Sequence, residues 1–431
     1  MLDIGTPTPL AASSESAASA DAGLGQVGQN WTPAYEWRVV LLLGIAFGLV
    51  GLDRQLVAIL YPLIMVDLHF TYQDLGNLIG ILGLAWGVFA IIAGNLSDRF
   101  GRRNILVPAV IGFSLMAAFS GFASGIDTML GLRALMGVFE GSYSPTSLAV
   151  NAEASKPSRL GRNQGVQLCA YPLLGFGLGP ILAVQLLRVV PSWRWVFAIV
   201  AIPGLIVAGL LWVTVKEPAK RAVTSVQRAA PKITLRQIFG HRNIPLGILA
   251  LMCSLSGIFV IGAMVPSYLT SYVGFDVQQM GFTASAIGLG GFIGEFLLPW
   301  LSDFWGRKRV LLLAYAGSAV FIFFFARAGR ASPGELFALL SLCSFFSLAT
   351  SALISGPLAI ESAPRGAFSS VAGIVVGLGE IFGGGVAPVI AGGVAQRYGI
   401  RSSLTVAVVS FVLGFVVCCF VKETAPRLLK S

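Results

Sequence analysis

Gly94-Asn95-Leu96-Ser97-Asp98-Arg99-Phe100-Gly101-Arg102-Arg103 lies between two long apolar runs. It returns about 205 residues later as Pro299-Trp300-Leu301-Ser302-Asp303-Phe304-Trp305-Gly306-Arg307-Lys308-Arg309. Each copy is a compact charged turn in a chain that is otherwise apolar. A basic turn repeated at half the length of such a chain points to two homologous membrane halves, which is how transporters are built. The 431 residues are 56% hydrophobic and 11% charged, with a mean hydropathy of +0.82. A soluble domain carries roughly 25% charged residues, so this composition excludes one.

From Trp37 onward twelve apolar segments follow, near 39–61, 75–97, 104–125, 128–152, 163–188, 194–215, 244–271, 279–302, 309–327, 333–360, 367–393 and 402–421. Runs of this length suit a hydrocarbon core of ~30 Å. They must be helices, because a lipid-exposed strand edge would leave backbone groups unpaired. The expected fold is all-α: twelve transmembrane helices in two pseudosymmetric six-helix bundles, residues 38–216 and 244–421. Residues 1–37, rich in Ala, Ser and Gly, read as a disordered cytoplasmic tail without the basic start and apolar core of a secretory signal. Residues 217–243 read as a basic cytoplasmic linker and 422–431 as a cytoplasmic tail.

The net charge of +10 does not point to nucleic acid. With both termini in the cytoplasm, most of the Lys and Arg residues fall in cytoplasmic loops, as the positive-inside rule requires, and inversion would reverse the bias. Cys169, Cys253, Cys343, Cys418 and Cys419 sit in apolar runs without metal-ligand spacing and read as small hydrophobes. No metal and no cofactor is expected. His69 and His241 fall in loops, and no HExxH, GxSxG or GxxxxGK occurs, so the chain is not read as an enzyme. Further landmarks repeat between the halves: Glu153, Pro157, Arg159 and Gly161 match Glu361, Pro364, Arg365 and Gly366. Likewise Gly175-x-Gly-x-Gly179-Pro180 matches Gly383-Gly-Gly-Val-Ala387-Pro388.

The turn from Gly94 to Arg103 resembles the signature loop of the major facilitator superfamily. The copy at Pro299 is a weaker echo in which proline replaces the leading glycine. Ser192-Trp193-Arg194-Trp195-x-Phe197 is similar to another stretch typical of that superfamily, and the likeness runs from Trp37 to Lys422. It implies two bundles around a central cavity that opens alternately to each side. It also implies a gating role for Asp98, Arg99, Arg102, Arg103, Asp303 and Arg307, which otherwise would only set topology.

Charges at membrane depth cost ~2.5–3.5 kcal/mol or more, so each is a functional candidate. Asp53 and Arg54 lie in the first segment and Arg133 and Glu140 in the fourth. Seven residues separate the latter two, which puts them on one helix face ~10.5 Å apart along the axis. Glu295 and Glu380 lie in the second half, Glu380 among glycines and Glu295 expected to pair with the adjacent basic turn. A guanidinium gives a carboxylate two parallel bonds, and a carboxylic acid in a low-dielectric cavity is poised to gain and lose a proton. The Asp-Arg pair and the Arg-x6-Glu pair resemble those of the anion:cation symporter family. That likeness implies Asp53 and Glu140 as proton-coupling residues and Arg54 on the substrate carboxylate, with Arg133, Trp86, Tyr171 and Glu380 as further substrate-binding candidates. Trp86 and Tyr171 depart from the residues usual in sugar-acid carriers and favour a flatter or more apolar carboxylate, such as an aromatic acid. The expected function is proton-coupled uptake of a small organic carboxylate, such as an aromatic or sugar acid, by a monomer of the cell (inner) membrane. Its partners are that anion, protons and the bilayer. The alternative is a drug or metabolite/proton antiporter, suggested by the partial glycine-proline motif at Gly175–Pro180.

Overall fold

The computed structural model describes residues 32–216, 240–329, 331–363, 368–425 and 427. The expected tail at 1–31 and most of the expected linker, 217–239, lie outside them. Inside a bilayer the backbone must satisfy itself, and the described residues form twelve helical rods. In the first half these are α1 (Pro33–Asp67), α2 (Tyr72–Phe100), α3 (Arg102–Ser120), α4 (Ile126–Ala154), α5 (Leu160–Leu186) and α6 (Trp193–Thr214). In the second half they are α7 (Asn243–Val273), α8 (Val277–Trp305), α9 (Arg307–Ala328), α10 (Pro333–Ser362), α11 and α12 (Ile400–Cys419). The rod α11 runs from Phe368–Glu380 through a π turn at Ile381–Val386 into Ala387–Tyr398. Among the described residues eleven rods are long and apolar enough to cross a membrane. The twelfth is α4, whose Asp127, Arg133, Glu140 and Glu153 lower its hydropathy.

Local chemistry sets the helix starts. Thr71 and Asp74 form a capping box at α2, Asp276 and Gln279 at α8, and Ser332 and Glu335 at α10, each satisfying N–H groups that a first turn leaves free. At α1 the Thr32 hydroxyl accepts from the Tyr35 N–H at 3.3 Å and Pro33 occupies the first turn. The helix therefore begins inside the stretch read as tail. Its first turn carries Glu36, which is buried and accepts from Asn163 Nδ2 at 2.7 Å. Asn163 also donates to Ser155, while Asn151 donates to Gln167 and Gln167 to Ser147. This polar ladder joins α1, α4 and α5, and its satisfied groups fix one geometry for that corner.

The halves repeat each other in packing as well as in sequence. α2 lies on α4 as α8 lies on α10, α3 on α6 as α9 on α12, and α1 on α5 as α7 on α11. Between halves the contacts follow three seams: α1 with α7, α2 with α11, and α5 with α8. Backbones approach closely there; a side chain on Gly288 of α8 would fall on the main chain of Gly177 in α5. At the end opposite the basic turns, the Tyr72 N–H donates to Gln396 Oε1 at 3.2 Å and Gln73 Nε2 to the Val389 carbonyl at 3.3 Å.

The two basic turns share one conformation. Gly101 ends α2 and starts α3 at φ 97°, ψ 143°, and Gly306 does the same between α8 and α9 at φ 100°, ψ 145°. Only glycine adopts this region without strain. Arg102 then reaches Glu153 of α4 at 3.2 Å and the Ser97 hydroxyl at 2.6 Å. Arg307 repeats this with Glu361 of α10 at 2.9 Å and the Ser302 hydroxyl, and adds Asp303 at 2.6 Å. Glu423, past the end of α12, accepts from the Arg307 and Lys308 N–H groups at 2.7 and 3.2 Å, so the start of the last tail caps α9. Arg103 lies 3.9 Å over the Trp212 ring and Arg99 is exposed on the last turn of α2. The side chain of Asp98 lies outside the described residues.

Gly101→Ala and Gly306→Ala are each expected to cost about 1–3 kcal/mol through backbone strain. Gly161→Ala, where an added methyl meets open space, is expected to be silent. Thermal unfolding of the purified variants in detergent measures the difference, and equal midpoints for all three would remove the strain argument.

Candidate functional site

Asp53 and Arg54 stand on α1 where it passes between α4 and the second half, and both are only 2% exposed. Arg133 and Glu140 of α4 are fully buried. Arg133 Nη1 donates to the main-chain carbonyl of Asp53 at 3.1 Å, and the Asp53 and Glu140 carboxylates lie within its electrostatic reach. Asp53, Arg133 and Glu140 thus converge on one point. Arg54 turns the other way, forming an ion pair with Glu380 of α11 while its guanidinium lies 3.9 Å over the Phe259 ring of α7. Its charge also feels Tyr171 of α5 and Glu140.

Two irregular turns build this meeting point. In α5 a π turn, Pro172–Leu178, begins one residue after Tyr171; in α11 a π turn, Ile381–Val386, begins one residue after Glu380. Such turns widen a helix and often mark functional positions. Tyr171 and Glu380 thus each stand at the leading edge of a π turn, one residue out of register in the repeat, and both address Arg54. Gly384, inside the second turn, has to be small: a Cβ there would stand 2.7 Å from Arg54 Nη2 and 2.7 Å from Glu380 Oε1. On its other side the carbonyl of Gly384 is pressed against Gly83 of α2.

Tyr171 is half-buried, with its ring centroid 5.4 Å from that of Phe47 and 6.0 Å from that of Phe176. Trp86 is buried on α2, whose backbone at that level packs against Gly137 and Gly141 on either side of Glu140. Three carboxyls, Asp53, Glu140 and Glu380, face two guanidiniums, so the cluster is neutral when it holds one proton. Among the described residues several of its buried polar atoms lack a hydrogen-bond partner: Asp53 Oδ1, Arg54 Nε and Nη2, Arg133 Nε and Nη2 and both Glu140 oxygens, while the Tyr171 hydroxyl meets Gln55. Unsatisfied polar atoms in such number are rare in a structural core and call for a ligand or a transferable proton.

Sequence reasoning had no signal for Phe259 or for buried Gln55, which neighbours Tyr171 and Phe176. Glu380 stood out as an intramembrane acid, but nothing in its local sequence names Arg54 as its partner. Glu295 differs from expectation. The second basic turn satisfies itself with Asp303, Glu361 and Glu423, and Glu295 instead faces Cys169 of α5. No group of His, Cys, Asp and Glu suited to a metal ion occurs among the described residues.

Membrane-length rods in two pseudosymmetric halves, with a buried charged centre at their junction, define a transporter rather than an enzyme. A sequence profile of the Major Facilitator Superfamily matches residues 43–272 and 247–431, and the chain belongs to that family. It is 29% identical over 336 residues to the hexuronate transporter of Bacillus subtilis (strain 168), covering 73% of this chain and 78% of that one. It is 27% identical over 325 residues to a gallate transporter of Pseudomonas putida, covering 66% and 69%. The fold is also that of a bacterial homologue of the human lysosomal transporter Spinster in an inward-facing, unoccupied conformation. The TM-score is 0.73 at 17% identity, over 90% of this chain and 98% of that one.

Glu380→Gln is expected to destabilise the protein by about 3–5 kcal/mol, because it leaves the Arg54 charge buried without its ion-pair partner. Adding Arg54→Gln should recover most of that loss. Thermal melts of the two single variants and the double variant provide the cycle, and additive losses would show that the two groups are not coupled.

Proposed function

We propose that the protein imports a small organic carboxylate together with protons, with Arg54 as the substrate clamp and Asp53 and Glu140 as the proton carriers. The observation that carries this reading is the Arg54–Glu380 pair. A guanidinium at the junction of the halves already holds a carboxylate, and a substrate carboxylate offers it the same two-oxygen partner in exchange. Charge balance supplies the coupling. A monoanion entering a neutral cluster adds one negative charge, and one more proton on Glu140 or Asp53 restores neutrality where an uncompensated charge is costly. Arg133, fully buried and bonded to the Asp53 main chain, holds the proton-carrying pair in register and contributes the second positive charge.

The surrounding rings favour a planar acid. Phe259 flanks the guanidinium, and Tyr171 brings a hydroxyl beside Gln55 and Arg54, so a hydroxylated aromatic acid finds both stacking surface and a hydrogen-bonding group. The gallate transporter among the relatives supports the same class, and the hexuronate transporter supports a hydroxylated carboxylate more broadly. Export of an amphipathic cation is disfavoured by two buried arginines at the centre. The basic-turn end is taken as cytoplasmic and the protein as a monomer of the inner membrane. Arg102, Asp303 and Arg307 then brace α2–α4 and α8–α10 as units that move together, and Asp98, Arg99 and Arg103 are assigned to the gate on that side on the resemblance of the turn alone.

In proteoliposomes under an inward proton gradient, labelled gallate is expected to accumulate, and a labelled hexuronate serves as the comparison acid. Arg54→Ala should lower uptake by about 30-fold or more, since losing a buried charge partner costs about 2–5 kcal/mol. Near-normal uptake by that variant overturns the clamp. Glu140→Gln should keep gallate exchange while losing gradient-driven accumulation, and accumulation at the parent's level would remove Glu140 from the proton path.

A further inference from the structure

We infer that Glu295 is a further proton-binding residue, outside the central cluster, one that controls closure of the α5–α8 seam at the basic-turn end. The α8 face that meets α5 repeats every seven residues. Gly281 packs on Pro180 and Val184, Gly288 on Pro172 and Gly177, and the next position of the same stripe is Glu295, facing Cys169. Two contacts made of glycine and backbone are thus followed by a carboxyl, ten residues from the end of α8 and so ~15 Å along the axis from it. Glu295 is half-buried and, among the described residues, makes no hydrogen bond or ion pair.

Its main chain is unusual as well. Pro299 lies inside α8 and has no N–H to give the carbonyl four residues earlier, which is that of Glu295. The carbonyl of Glu295 therefore lacks its usual helical donor, on the same residue whose carboxylate has no partner. The titratable group facing them from α5 is the Cys169 thiol. From α10 the α8 face beside them meets Phe345 and Leu348, which carry no charge. One carboxylate and one carbonyl fall well short of the six or more oxygens a hard metal cation requires, but they suit a proton. The proline that breaks the second copy of the repeated turn is thus the residue that frees this carbonyl.

Proton binding has a mechanical consequence. Drawing α5 and α8 together at this level brings Glu295 against Cys169 and apolar side chains, which an ionised carboxylate resists and a neutral one permits. Deprotonation holds the seam apart at the basic-turn end, and protonation lets it close. This rests on the reading of the protein as proton-coupled but not on the identity of its cargo.

The test needs no substrate. Spin labels are placed at Gly161, at the start of α5, and Trp305, at the end of α8, both exposed, in a chain with its five cysteines replaced by alanine, which adds no donor beside Glu295. Inter-label distances are measured in liposomes at pH 8 and pH 5.5. The parent is expected to shift toward shorter distances at the lower pH, Glu295→Gln to hold the short population at both values, and Glu295→Asp to keep the pH response. A Glu295→Gln variant that follows the parent's pH response overturns the inference, and so does a parent whose distances ignore pH. The uptake experiment can succeed while this one fails, which would leave coupling to Asp53 and Glu140 with Glu295 a bystander.

Discussion

A guanidinium at the centre of a membrane bundle must be given a negative partner, and Arg54 finds its ion-pair partner in Glu380 of the opposite half. Much of the molecule is arranged around that contact. It requires α1 and α11 to meet, which places the α2–α11 seam beside it. It requires Gly384 to have no side chain and is served by a helix widened just past Glu380. Behind it stands a second layer, Arg133 with Asp53 and Glu140, whose charges make sense only as a set. A pair that spans two bodies also joins the energy of the site to their relative position, which alternating access requires.

The two halves share a plan but divide the work. Each has a basic turn with the same glycine conformation, an arginine bridged to the end of the fourth helix of its own half, and a π turn in its fifth. At the edge of that turn one half offers Tyr171 and the other, one residue out of register, Glu380, so the two turns bring a neutral hydroxyl and a carboxylate to the same guanidinium. At the turn itself one half keeps Gly94 where the other has Pro299. Duplication produced the frame, and substitutions at equivalent positions produced the asymmetry that chemistry needs.

The apparent disorder of signals in the sequence has a physical cause. Apolar length and basic loops are local properties, and they were enough to place all twelve rods to within a few residues at most ends. The earlier start of α1 was also local, in Thr32 and Pro33, but it was hidden by a composition resembling a tail. Proximity along the chain points Glu295 to the nearest basic turn. In three dimensions that turn is saturated by Asp303, Glu361 and Glu423.

By itself the sequence determined the class of fold, the repeat, and the list of charged residues that had to be accommodated at membrane depth. These follow from hydrophobic length, from the need to satisfy the backbone, and from the cost of charge in hydrocarbon. Tertiary structure alone decided which charges meet. Arg54 and Glu380 are far apart along the chain, and Phe259, Gln55 and Cys169 carry no sequence mark of their role. Only the packing of helices across the junction of two halves turns them into neighbours.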